Sequence, residues 1–114
     1  MAIRKLQRQQ ARTMITELAY WDERHGGVRV PVVLEHDKDA RACVVTRGAA
    51  QTLSSNPKLT PRECFGVTYR HMREVSAIAR KKVAAYGIDP RTTVLIDKCD
   101  VIEARGMTRE IYHA

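Results

Sequence analysis

Aromatic side chains are scarce in this sequence, with one Phe, one Trp and four Tyr among 114 residues. The core must therefore rest on Val, Ile, Leu, Met and Ala, and the strands read below carry none of the exposed aromatics on which sheet-based single-strand binders stack bases. No run approaches the roughly 18 apolar residues of a membrane span, and the first ten residues, MAIRKLQRQQ, carry cations without an apolar stretch behind them. A cytoplasmic protein with no membrane partner is expected. The three cysteines, Cys43, Cys64 and Cys99, are odd in number and far apart, which fits neither a disulfide framework nor a paired metal motif. They read as reduced thiols, at least two of them in the core. A phosphate loop is missing too: Gly26-Gly27 lacks the preceding strand and the following Lys and Ser/Thr that such a loop needs.

What is present has the balance of a folded domain. Hydrophobic residues make up 44% and charged residues 29%, which argues against disorder, and 114 residues suffice for one core. The formal net charge of +7 stands out. It permits attraction to nucleic acid, to an anionic surface or to an acidic protein, and it selects none of them.

Residues 2 to 19 contain no Gly or Pro, and Ile3, Leu6, Met14 and Leu18 recur at helical spacing, so an N-terminal helix is expected. Arg4, Lys5, Arg8 and Arg12 crowd its first half without an acidic residue, against the positive end of the helix dipole, and these four are candidate contacts for an anion. His25-Gly26-Gly27 breaks the helix. Val28, Val30, Val32 and Leu34 then alternate with Arg29, Pro31, Val33 and Glu35 as a strand, which Pro31 marks as an edge because it cannot donate to a ladder. His36 to Asp39 supplies a polar turn, and residues 41–47 (RACVVTR) read as the return strand of a hairpin. Thr46 is a candidate N-cap for a short helix over residues 48–53.

The clearest local signal is Thr60-Pro61-Arg62-Glu63, a capping Thr, a Pro at the first helical position and a Glu that closes a capping box. Met72, Val75, Ile78, Ala79, Val83 and Tyr86 keep one face apolar, and Gly87 sits where a left-handed cap is wanted. One helix from Thr60 to Gly87, roughly 39 Å long, is expected. Arg80, Lys81 and Lys82 are assigned to its last turns, where the dipole favours cations; Arg70 and Arg73 are further candidate anion contacts. Residues 92–97 (TTVLID) read as a third strand that Val101-Ile102 prolongs, and residues 103–114 as a tail.

Catalytic and metal-binding patterns are weak. His25, His36, His71 and His113 show no metal-ligand spacing; His36 with Asp37 and Asp39 is the best cluster, and a turn needs the same residues. Cys64, in the first turn of the long helix, is the one thiol whose pKa the dipole could lower. Asp97 and Asp100, with Asp89, are the only local carboxylate group, and Asp100 serves equally as a cap. No catalytic residue, metal site or cofactor is assigned.

The order of elements resembles the small bacterial domain-of-unknown-function family 1488. The residues that carry the resemblance are Trp21-Asp22 ahead of a strand at Val28 to Val30, then Cys43-Val44-Val45-Thr46 followed by Ala50 and Leu53. Phe65, Arg70, Val75, Ile78, Ala79 and Lys82 fit the family's long helix, and Val94-Leu95-Ile96 leads to Asp100. The resemblance covers about residues 20 to 101 and implies an α+β fold with an antiparallel sheet against helices. It implies no activity, and residues 1–19 and 103–114 look like additions.

These readings combine into an α+β domain over residues 20–102: a small antiparallel sheet, hairpin plus third strand, packed on one long helix, with an N-terminal helix and a short connecting helix. A basic extension (1–19) and a tail (103–114) flank it. The expected function is a non-enzymatic basic binding or accessory module engaging an acidic protein or nucleic acid. The alternatives are a homo-oligomer built on the Pro31 strand or the N-terminal helix, and a small enzyme without a recognisable motif.

Overall fold

The computed structural model describes residues 19–34 and 40–106. Strands β1 (Tyr20–Asp22) and β2 (Gly27–Val32) form a tight hairpin. Asp22 makes the turn: its Oδ1 accepts the His25 backbone N–H at 3.1 Å and its carbonyl accepts the Gly26 N–H at 2.8 Å. Gly26 then takes the left-handed φ of +63° that few other residues tolerate. Three residues are too few for alternation to register, so β1 escapes a periodicity reading.

Strand β3 (Arg41–Thr46) pairs antiparallel with β2 in the expected hairpin register, Val28 opposite Val45 and Val30 opposite Cys43. β2 lies between β1 and β3, which corrects the expectation of an edge strand; β1 reaches along it only from Gly27 to Arg29, so Pro31 itself has β3 on one side and no described strand on the other. Three helices follow: α1 (Arg47–Ser54), α2 (Pro61–Arg70) and α3 (Met72–Tyr86). They carry the chain back so that β4 (Val94–Ile96) joins β3 in parallel, Val44 opposite Leu95. The expectation of an antiparallel third strand is thus corrected: the sheet is mixed, in the order β1-β2-β3-β4. A crossover of this length is what parallel pairing requires, and residue patterns do not encode strand direction.

The expected single helix from Thr60 to Gly87 is also corrected. It has both predicted caps, with Thr60 Oγ1 accepting the Glu63 N–H at 3.3 Å and Gly87 at φ +59°, but it breaks at His71, whose φ of −105° and ψ of 19° leave the helical basin. The buried residues Cys64, Val67, Thr68, Val75, Ile78 and Ala79 keep helical phase across the break, so periodicity conceals it. The bend lets α2 cover β2 and α1 while α3 covers β4.

Val101 and Ile102 do not prolong a strand. They are the buried residues of α4 (Lys98–Ala104), which Asp97 and Asp100 start with a reciprocal capping box, and α4 runs through the boundary expected after residue 102. The expected N-terminal helix apart from Ala19, the turn at 36–39 and residues 107–114 of the tail lie outside the described residues.

Val28, Val30, Val32, Cys43, Val45, Val94 and Ile96 form the sheet's contribution to an aliphatic core, and Trp21 and Phe65 pack against it only partly buried. Burying a Val or Ile contributes about 1.5–3 kcal/mol, so this layer dominates stability. The opposite row of the sheet is Tyr20, Arg29, Val44 and Leu95. Arg29 ties it together by donating to Asp22 Oδ2 and to Thr93 Oγ1, each at 3.0 Å.

Candidate functional site

The face of α2 and α3 turned away from the core is rich in cations. Residues about 3.6 apart from Arg62 onward fall on it, and Arg62, Arg70, Arg73, Arg80 and Lys81 are all exposed. Gly66 and Ala77 lie between them and Ala84 just beyond, all exposed and small, so a partner can approach the helix backbone closely.

The two helices contain only two carboxylates, and each is already engaged. Glu63 Oε1 accepts the Thr60 N–H at 3.0 Å and the Thr60 hydroxyl at 2.9 Å, which holds its carboxyl below the usual range. Glu74 is held down chiefly by hydrogen bonding to Arg105, at 2.7 and 3.0 Å, with His71 Nδ1 at 3.5 Å. Glu74 is thus paired with a cation of α4's end, whereas Glu63 keeps its charge at the start of α2.

Of the residues the sequence singled out, Arg70 and Arg73 lie one on each side of the His71 break, three apart and both exposed. Arg4, Lys5, Arg8 and Arg12 lie outside the described residues. The stripe adds Arg62, Arg80 and Lys81, of which the sequence pattern credits the last two to the helix dipole. That account is corrected: α3 runs to Tyr86 and its last turn holds no cation, while the dipole acts mainly within that turn. Lys82 separates from its neighbours, donating to the Leu95 carbonyl at 2.6 Å and to Asp100 Oδ2 at 2.8 Å. Helical phase was the available signal, since Lys82 lies one turn after Ile78 on the buried side.

The catalytic candidates turn out structural. Cys64 is buried, and burial pushes its thiol up despite the nearby Arg47; Cys43 is pushed up to about 12 by the same cause. Both behave as small hydrophobes rather than nucleophiles. Asp97 and Asp100 are spent on the α4 cap. Asp22 accepts from Arg29, and its Oδ2 lies 3.0 Å from His25 Nδ1. That contact with His25, foremost, holds its carboxyl down at about 2, so it remains an anion fixed in a turn and no base. Among the described residues no three His, Cys, Asp or Glu side chains converge as a metal site.

Beside the stripe, α2 and β2 border an apolar groove of about 330 Å³, lined by Ala19, Val28, Val30, Phe65, Gly66 and Tyr69, with Thr68. Sequence reasoning missed it, because it forms only where α2 packs on β2, a tertiary contact without a local signature. Thr68 is buried and its Oγ1 has no hydrogen-bond partner.

No family model, no curated protein and no solved structure matches this chain. The reading of its function therefore rests on its own geometry.

Proposed function

We propose that this protein is a non-catalytic binding module that engages an acidic partner, protein or nucleic acid, through the outward stripe of α2 and α3. The observation that carries the reading is the exposed row of Arg62, Arg70, Arg73, Arg80 and Lys81 on helices that hold only two carboxylates, one of them paired with Arg105. Solvated cations on one face raise the local concentration of an anionic partner and speed its encounter, and the attraction weakens as salt shortens the screening length. Cations contacting phosphates would give a steep salt dependence.

Two buried thiols, Cys43 and Cys64, fit a reducing cytoplasmic compartment, and no helix among the described residues is long and apolar enough to cross a membrane. The resemblance to domain-of-unknown-function family 1488 adds no activity to the reading.

Fluorescence polarisation of labelled duplex, single-stranded oligonucleotide and polyglutamate, titrated with the protein at several salt concentrations, tests it. Binding of at least one polyanion at low salt is expected, with loss on the double change Arg70→Glu and Arg73→Glu. Absence of binding to all three, or binding indifferent to the double change, overturns it.

Self-association has its own supporting observation. Tyr20, Val33 and Leu95 are exposed at 54%, 62% and 37%, and the register places Tyr20 and Leu95 on the sheet face away from the core. Light scattering at high concentration that returns only the monomer mass would remove this second reading.

A further inference from the structure

The groove and the stripe are parts of one surface. Gly66 and Tyr69 line the groove and also belong to the outward side of α2, so the same helix supplies an apolar wall and a charged rim. Arg62 lies one turn before Gly66 and Arg70 one turn after it, and Arg73 follows just past the His71 break. A ligand seated in the groove therefore meets Phe65 and Tyr69 with its body and guanidinium groups with its edge.

We infer that this groove docks an acidic amphipathic helix from a partner protein, with its apolar side against Phe65, Gly66 and Tyr69 and its carboxylates on Arg62, Arg70 and Arg73. The inference rests on the reading of the stripe as an anion-engaging surface and narrows the partner class. Charge complementarity requires the acidic flank, and the groove requires the apolar side. A helix laid into a hydrophobic groove, anchored by residues three and four apart, meets both demands. Gly66 is what lets another helix come close: a Cβ built there meets nothing within 4 Å, so the space beside it is open. The ten residues of α2 span about 15 Å, enough to seat two to three turns of a partner.

A polynucleotide satisfies the stripe but not the groove. Its phosphates present nothing apolar to Phe65 and Tyr69, and a base turned into the groove would bury several polar edges against a lining whose side-chain polar groups are the Thr68 and Tyr69 hydroxyls. Unpaired polar edges cost more than the stacking returns.

The test uses a fluorescein-labelled peptide of about 14 residues, with Leu at helical spacing and Glu on both flanks, titrated with the full chain by polarisation. A scrambled peptide of the same composition, polyglutamate and a single-stranded oligonucleotide serve as comparisons. The patterned peptide is expected to bind about tenfold tighter than the scrambled one, and Gly66→Leu, which fills the groove, to weaken it about tenfold. Circular dichroism and the melting temperature check that G66L folds. The double change Arg70→Glu and Arg73→Glu is expected to weaken the patterned peptide and polyglutamate alike.

Equal binding of patterned and scrambled peptides, or no effect of G66L, overturns the docking inference while leaving the stripe reading intact. Loss of polyglutamate binding in wild type together with an unaffected patterned peptide in the double charge reversal overturns both. An oligonucleotide whose binding G66L abolishes assigns the groove to nucleic acid and overturns it. Met14→Asp in the full chain that raises peptide affinity assigns the groove to the chain's own residues 1–18, and a dimer that G66L dissociates assigns it to a second copy; either overturns it.

Discussion

Arg105 grips Glu74 at two points, Nε to Oε1 at 2.7 Å and Nη2 to Oε2 at 3.0 Å, and with the same guanidinium donates to the carbonyls of Thr52 and Leu53 at the end of α1, each at 3.2 Å. One side chain thus joins α3 to the end of α1, and it removes from the outward surface the only carboxylate that α3 possesses. Arg105→Ala should lower stability by about 1–2 kcal/mol, because a two-point charged pair and two helix-end carbonyls lose their donor at once. Glu74→Gln should cost about half of that, since the carbonyl contacts survive. Urea melts at neutral pH measure both, and equal losses would show that the carbonyl contacts contribute nothing.

Asp22 gives the protein a defined acid response. Its carboxyl is lowered from 3.8 to about 2, first by the hydrogen bond with the His25 side chain and further by the His25 backbone and Arg29. A group depressed in the folded state contributes stability above its unfolded value and loses it as the pH falls through the folded one. The window is therefore from about pH 4 down to about pH 2. Thermal melts across it should show wild type losing stability more steeply than Asp22→Asn, and parallel curves would exclude the carboxylate as the cause.

Two glycines should respond oppositely to the same change. A Cβ on Gly27 would stand 2.3 Å from the Val45 carbonyl oxygen and 2.7 Å from Thr46 Cα, both backbone atoms, so Gly27→Ala must push β2 from β3. A loss of about 3 kcal/mol is expected. Gly66→Ala meets no atom within 4 Å in a helix interior and should gain close to 1 kcal/mol. Denaturant midpoints of the two variants on either side of wild type would satisfy both expectations.

Legibility in the sequence followed the range of the interaction. Thr46, Thr60 with Glu63, and Gly87 act on backbone groups within four residues, and all are found at their expected caps. The face of β2 was likewise readable, with Val28, Val30 and Val32 buried as alternation required. The break at His71 depends on α2 and α3 covering different strands, and the parallel pairing of β4 depends on where three helices deliver the chain; both are tertiary decisions. Asp97 and Asp100 were ambiguous because a capping box and an acid pair use the same residue types, and the N–H geometry decides between them. Of the candidate site, Arg70 and Arg73 were readable. Arg80 and Lys81 were misassigned although the end at Gly87 was read correctly, because they stand more than a turn before it, where the dipole is weak, and the groove had no local signature.

The cluster Arg80-Lys81-Lys82 supplies the sharpest separation of stability from binding. Lys82 Nζ satisfies the Leu95 carbonyl and Asp100 Oδ2, locking α3 to the end of β4 and to the cap of α4, while Arg80 and Lys81 stand exposed on the stripe. Lys82→Met keeps the apolar stem and removes the charge, which leaves Asp100 without its cation; a loss of about 1–2 kcal/mol is expected with polyanion affinity nearly unchanged. Arg80→Glu with Lys81→Glu should do the reverse, holding the urea midpoint near wild type and weakening polyglutamate binding several-fold at low salt, with the difference vanishing near 1 M salt as screening shortens to about 3 Å. If instead K82M weakens binding as much as the double change does, the two roles are not separate, and the stripe extends around the helix to include the residue assigned here to the fold.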